Sequence, residues 1–333
     1  MKKNIALLYL TLSTILLSCE NVVDKNIFEN KKFFVFNIED YTTNSEIKCM
    51  TVDSKNNIWV GCRSLLKFNG KTWETYGEET FGDQVFCIND IDFDSKNNLW
   101  CATNDGLFKY DGQKWQSFFY AEERPLQTMI LSVHCDKFNN IWFAKRGDLV
   151  KYDGVTWTTF DSFPGLQIQK ISSDSVGNIF IGCFDALYKY DGNQFIKMYY
   201  SKENGKSMNV RDLKFDKSQN LWIGCFPNFL TSHVDEITEI ETTKILNPYN
   251  KYDNWFVSSL AIDNQNEEVV LGTWNTGIAY YEGKRFRMLD GSKFEMSSTH
   301  FQIDKLVFDL KSNLWIATRF GKIIVYNEQG IKF

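Results

Sequence analysis

The chain holds three histidines, His134, His233 and His300. Two fall within strand-like repeats and read as structural; His300 alone sits in a variable segment, with the carboxylate of Glu295 near it in sequence. An imidazole with a carboxylate is the least that general acid–base chemistry needs. No Ser/His/Asp set, phosphate-cradling loop or metal-spaced cluster accompanies this pair, so neither cofactor nor metal is expected. Cys19 stands apart from the other seven cysteines, which are odd in number, lack CxxC spacing and demand no disulfide. Binding chemistry is better represented. Trp255 and Trp274 lie in irregular segments with Tyr252, Asn254 and Asn275, and aromatic faces beside amides suit a sugar ring. Arg63, Lys145, Arg146 and Arg319, with Phe184, Phe226 and Phe320, fall in comparable segments, and such cations pair with carboxylates of an acidic glycan.

The elements that must position these residues come from a repeat. A phrase close to Asn-Leu-Trp-Ile-Gly returns seven times, with Trp59, Trp100, Trp142, Phe180, Trp222, Val270 and Trp315 at its third place, 38 to 48 residues apart. An Asp precedes each copy: Asp53, Asp94, Asp136, Asp174, Asp216, Asp263 and Asp309. One carboxylate per turn with Lys between is a poor calcium cage, so these residues read as turn caps. Each unit parses into four strands, A to D. Strand A is apolar at its first and fourth positions, strand B is the repeated phrase, and strands C and D flank Asn69-Gly70, Asp111-Gly112, Asp153-Gly154, Asp191-Gly192 or Glu282-Gly283. Asn-Gly and Asp-Gly signal a hairpin in which both central residues take positive φ.

Four-stranded meanders at this period predict an all-β, seven-bladed β-propeller of antiparallel blades. The segment Lys31 to Phe36 reads as a stray strand D, and the last unit lacks one, so the N-terminal strand is expected to close the ring. Asp174 to Gly182 and Gly106 to Tyr110 resemble the two-component regulator propeller repeat. The resemblance covers residues 31–333. It implies the sensor half of a signalling protein with ligands such as glycans, but no kinase, receiver or DNA-binding module is present. Streptogramin lyases look similar in repeat and blade number, which implies a lyase built around His300 as a third reading.

Residues 1–18 have a charged start and a short apolar run, a secretory signal. Leu16-Leu17-Ser18-Cys19 resembles the lipobox of bacterial lipoproteins, implying acylation of Cys19. Residues 19–30 read as a polar tether. The expected location is the bacterial cell envelope, periplasmic or surface, with a lipid anchor in the membrane. A net charge of −5 without a basic stripe excludes duplex nucleic acid as a partner.

Antiparallel connectivity sorts the loops. A–B and C–D turns share one face and are short; B–C and D–A loops share the other and vary in length. Variable loops on a rigid scaffold are where binding sites are built. Of ten tryptophans, five occupy strand B and three occupy strand D, leaving Trp255 and Trp274 unassigned by the fold. The third position of strand A (Cys49, Asp90, Ser132, Lys170, Asp212, Ser259, Lys305) alternates in charge and predicts an ion-paired axial ring. The leading expectation is a non-enzymatic, ligand-binding propeller that recognises a glycan; a protein-interaction scaffold in an envelope complex is the alternative.

Overall fold

The computed structural model describes residues 28, 31–40, 46–81, 87–118, 129–145, 148–161, 163–165, 167–200, 209–226, 229–233, 236–239, 256–282, 286–289, 291–294, 296 and 301–332. The protein is an all-β propeller of four-stranded antiparallel sheets. Six sheets, blades 1 to 6, each use four consecutive strands, with A strands Cys49–Val52, Ile88–Phe93, Ile130–Cys135, Ile168–Ser173, Asn209–Phe215 and Val257–Asp263. The closure sheet pairs Phe33–Asn37 with Lys322–Tyr326, followed by Leu314–Thr318 and the A strand Ile303–Phe308. Successive A strands neighbour one another around the axis, and the closure sheet's A strand meets those of blades 6 and 1. The N-terminal strand therefore covers an edge that would otherwise offer unpaired backbone groups. Phe36 secures it by stacking on Trp315 at 6.1 Å and 7°.

The repeated Asp is the organising group of each A–B turn. Asp53 Oδ1 accepts the backbone N–H groups of Lys55 and Asn57 at 2.9 and 2.8 Å, while Oδ2 accepts Asn57 Nδ2 at 2.7 Å and Trp59 Nε1 at 3.1 Å. The same bond to the strand B indole recurs from Asp94, Asp136, Asp216 and Asp309. One carboxylate thus caps the turn and fixes the Trp rotamer. The C–D turns correct an expectation. Gly70, Gly112, Gly154 and Gly192 have φ between 88° and 99°, but the preceding Asn or Asp does not take positive φ. Asn69 instead accepts N–H bonds from Lys71 and Thr72, each 2.9 Å, through its side chain. Asn69 N–H also donates to Thr72 O at 3.2 Å, so the loop is a tight turn capped by the Asx side chain but not a type I′ turn.

Between blades the strand B indoles act as wedges. Trp59 stacks on Tyr76 of its own blade and meets Phe93 and Tyr110 of the next. The Gly that ends strand B in four copies permits close approach: a Cβ on Gly61 would lie 2.8 Å from Ile88 Cγ2 of blade 2. Cys62, Cys183 and Cys225 are buried at one repeat position, where Thr103, Thr273 and Thr318 donate to strand C carbonyls. Cys62 Sγ does likewise to Ser64 at 3.0 Å, so small buried donors interchange there.

Candidate functional site

In blades 2 to 6 and in the closure sheet, the A–B register slips between the first and third residues of strand A. The second residue is thereby surplus to the ladder, as in a β-bulge that re-aims a side chain. Those second residues, Asn89, Leu131, Gln169, Arg211, Ser258 and Asp304, with Lys48 at the matching place in blade 1, line one cavity of about 340 Å³. Contributions from all seven sheets place it on the axis, at the end where strands A begin, which is the variable-loop face. Glu46, Lys305, Trp274 and Arg319 also line it.

Below the mouth, the third positions do not form the expected full ring of ion pairs. Lys170 Nζ lies 2.9 and 2.8 Å from the two oxygens of Asp90, two blades away. Asp90 also accepts Ser132 Oγ at 2.9 Å and Val133 N–H at 3.2 Å. Asp212 makes no salt bridge among the described residues, although its charge acts on Lys170, and its hydrogen bonds come from Ser259 Oγ and the N–H groups of Leu213 and Leu260. Lys305 makes no ion pair among them, though its charge acts on the Asp304 carboxyl. The physical reason is the bulge, which presents inter-blade N–H groups to the third-position side chains, so neutral donors do the work expected of cations. Farther down the axis His134 bridges Asp92 Oδ2 at 3.0 Å and Ser173 Oγ at 2.8 Å, tying three A strands together.

At the mouth, Trp274 is half-buried rather than an open platform. Phe256 stacks on it at 4.5 Å and 14°, its N–H donates to Phe256 O at 3.1 Å, and its Nε1 donates to Asp304 Oδ1 at 3.0 Å. The guanidinium carbons of Arg211 and Arg319 lie 5.2 and 4.9 Å from the Trp274 ring centre. Arg211 Nη1 donates to Gln169 at 3.1 Å, while its Nε is buried without a hydrogen-bond partner among the described residues. Burial pushes the Asp304 carboxyl above the ordinary carboxylate range, against the pull of Arg319, Lys305 and the indole N–H. Burial likewise lowers Arg211.

The structure brings Trp274 and Arg319 together at the cavity. Asn275 accepts the N–H of Phe256 at 3.1 Å and tethers the same corner. Arg63 is exposed and does not line the cavity. Tyr252, Asn254, Trp255, Arg146, His300, Glu295 and Cys19 lie outside the described residues, as do the side chains of Phe226 and His233. Sequence reasoning missed Lys48, Arg211 and Asp304, because strand A was read as a regular strand. The polar residue at its second place in six of seven copies, directly after the apolar first, was the available signal.

No protein-family model matches the chain, and no curated protein matches it. Among solved structures it is similar to the extracellular domain of BT4673 from B. thetaiotaomicron, at 19% identity and a TM-score of 0.70 over 88% of this chain. It spans 39% of that chain. It is also similar to the virginiamycin B lyase of Staphylococcus aureus (13% identity, TM-score 0.67, 88% of this chain and 98% of that one). PorZ, a surface component of the type-IX secretion system of Porphyromonas gingivalis, matches at 14% identity and a TM-score of 0.67 over 85% of this chain and 46% of its own. At these identities the likeness shows the fold, a β-propeller.

Proposed function

We propose that the protein is a non-enzymatic, ligand-binding propeller of the sensor type that receives a glycan at the axial mouth of its variable face. The observation that carries this reading is the cavity of about 340 Å³ to which every sheet contributes a side chain, six of them from a bulge. Concave sites of roughly this size, built on rigid elements, are the usual place for small ligands. The groups there are guanidinium, ammonium, amide and indole donors, which bind and orient. The carboxyl of Asp304 is already engaged by Trp274. Phe184 and Phe320, 44% and 47% exposed on B–C loops of the same face, supply aromatic surface for sugar rings at the rim. Likeness to an extracellular sensor domain fits an envelope location, and acylation at Cys19 would hold the propeller to the membrane.

Calorimetric titration of neutral and acidic oligosaccharides against wild type and Trp274→Ala tests the site. Binding that weakens with the substitution supports it. Absence of any oligosaccharide binding, with an envelope protein co-purifying stably from native membranes, would establish the scaffold alternative instead. Turnover of any ligand that depends on His300 would replace the binding reading with the lyase. Membrane retention of a Cys19→Ser variant would remove the anchor.

A further inference from the structure

Resting on the glycan reading, we infer that the mouth selects an acidic sugar, with Arg211 and Arg319 forming a two-guanidinium clamp, backed by Lys305, for a carboxylate of the ligand. The charge balance at the cavity is the first argument. Lys48 pairs with Glu46. Arg211, Arg319 and Lys305 have no ion pair among the described residues, and the nearby carboxyl, Asp304, is kept less ready to ionise by burial. The chain as a whole carries −5, so this excess of cations is a local property of the mouth.

Geometry is the second argument. Arg211 comes from strand A of blade 5 and Arg319 from the residue after strand B of the closure sheet, and Trp274 of blade 6 lies between those sheets. Both guanidinium groups therefore approach one indole from neighbouring sheets, at 5.2 and 4.9 Å from its centre. A guanidinium held by an aromatic ring keeps its in-plane N–H fork available, and that fork matches a planar carboxylate. Arg211 is held in place: Gln169 fixes Nη1 at 3.1 Å, and its Nε is buried without a hydrogen-bond partner among the described residues, so the terminal Nη groups are the ones left to meet an anion. A uronic acid presents such a carboxylate on a ring that aromatic rim residues can contact.

The test compares glucuronate-containing oligosaccharides, their neutral glucose counterparts, sulfated counterparts, and simple organic carboxylates, by calorimetry on the full chain. The expected result is at least tenfold tighter binding of the glucuronate oligosaccharide than of the neutral one, reduced about tenfold by Arg319→Gln and by Arg211→Gln. Arg211→Lys keeps the charge without the fork and is expected to restore only part of the loss. Arg319 is exposed, so its variant stands as the test even where Arg211 variants fail to fold. Equal affinity for neutral and acidic sugars would overturn the clamp and leave the glycan reading intact. Preference for the sulfated ligand would overturn the assignment to carboxylate. Binding of simple carboxylates with no sugar bound would keep the clamp and remove the glycan.

Discussion

Trp274 Nε1 donates to Asp304 Oδ1 at 3.0 Å, joining the B–C turn of blade 6 to the A strand of the closure sheet. This bond makes one indole a structural strut and a cavity wall at once. It also keeps a carboxyl inside a mouth otherwise rich in cations.

That carboxyl sets a pH dependence. Burial raises the Asp304 pKa, so its ionisation is opposed in the folded protein and reversed as pH falls toward the raised value. Losing a negative charge beside Arg319 and Lys305 strengthens the attraction for an anion. Affinity for a carboxylate-bearing ligand is expected to rise as pH falls through the raised Asp304 pKa, until the ligand itself protonates. Asp304→Asn should bind tightly throughout and flatten that rise in a calorimetric pH series.

The axial pair of Asp90 and Lys170 is expected to be sensitive to half-removal. Their side chains are 9% and 21% exposed. Lys170→Met leaves a buried carboxylate without its cation, a change that typically costs about 3–5 kcal/mol. Urea unfolding should show this loss, and the added Asp90→Asn change should recover part of it.

The Asp–Trp strut of the A–B turn gives a graded series. Trp59→Phe removes one hydrogen bond to Asp53 and some packing, for about 1–2 kcal/mol. Asp53→Ala strands several donors and should cost more, about 2–4 kcal/mol. Equal effects in denaturant unfolding would show that packing alone holds the turn.

Acid stability should depend on Asp92. Burial would raise its pKa, but the hydrogen bond and charge of His134 and the N–H of Cys135 outweigh it and bring it below the ordinary 3.8. A carboxyl depressed by folding contributes stability above that ordinary value, and the contribution is lost as pH falls through it toward the lowered pKa. Asp92→Asn should be less stable at neutral pH and lose less on acidification, which thermal unfolding across the acid range will read.

Ring closure should be cooperative. Removing residues 31–37 bares the edge of strand Lys322–Tyr326 and uncovers Trp315, which is fully buried. The shortened chain is expected to unfold at lower temperature and to aggregate. An unchanged melting temperature would refute closure by this strand.

The repeat period, the Asp before each strand B and the strand D pattern at Lys31 to Phe36 determined the fold by themselves. Local hydrogen bonds and alternating burial are short-range in sequence, and they recur with every copy. Trp274 and Arg319 stood out for the same reason: a regular scaffold exposes the residues it does not require. Only the tertiary structure decided which groups meet at the mouth. Arg211, Trp274 and Arg319 come from three different sheets, and their convergence depends on a bulge that turns the second residue of strand A toward the axis. The polar second residue marks the place of that turn in six copies but does not produce it. It arises where each A strand must pack against the next around a closed ring.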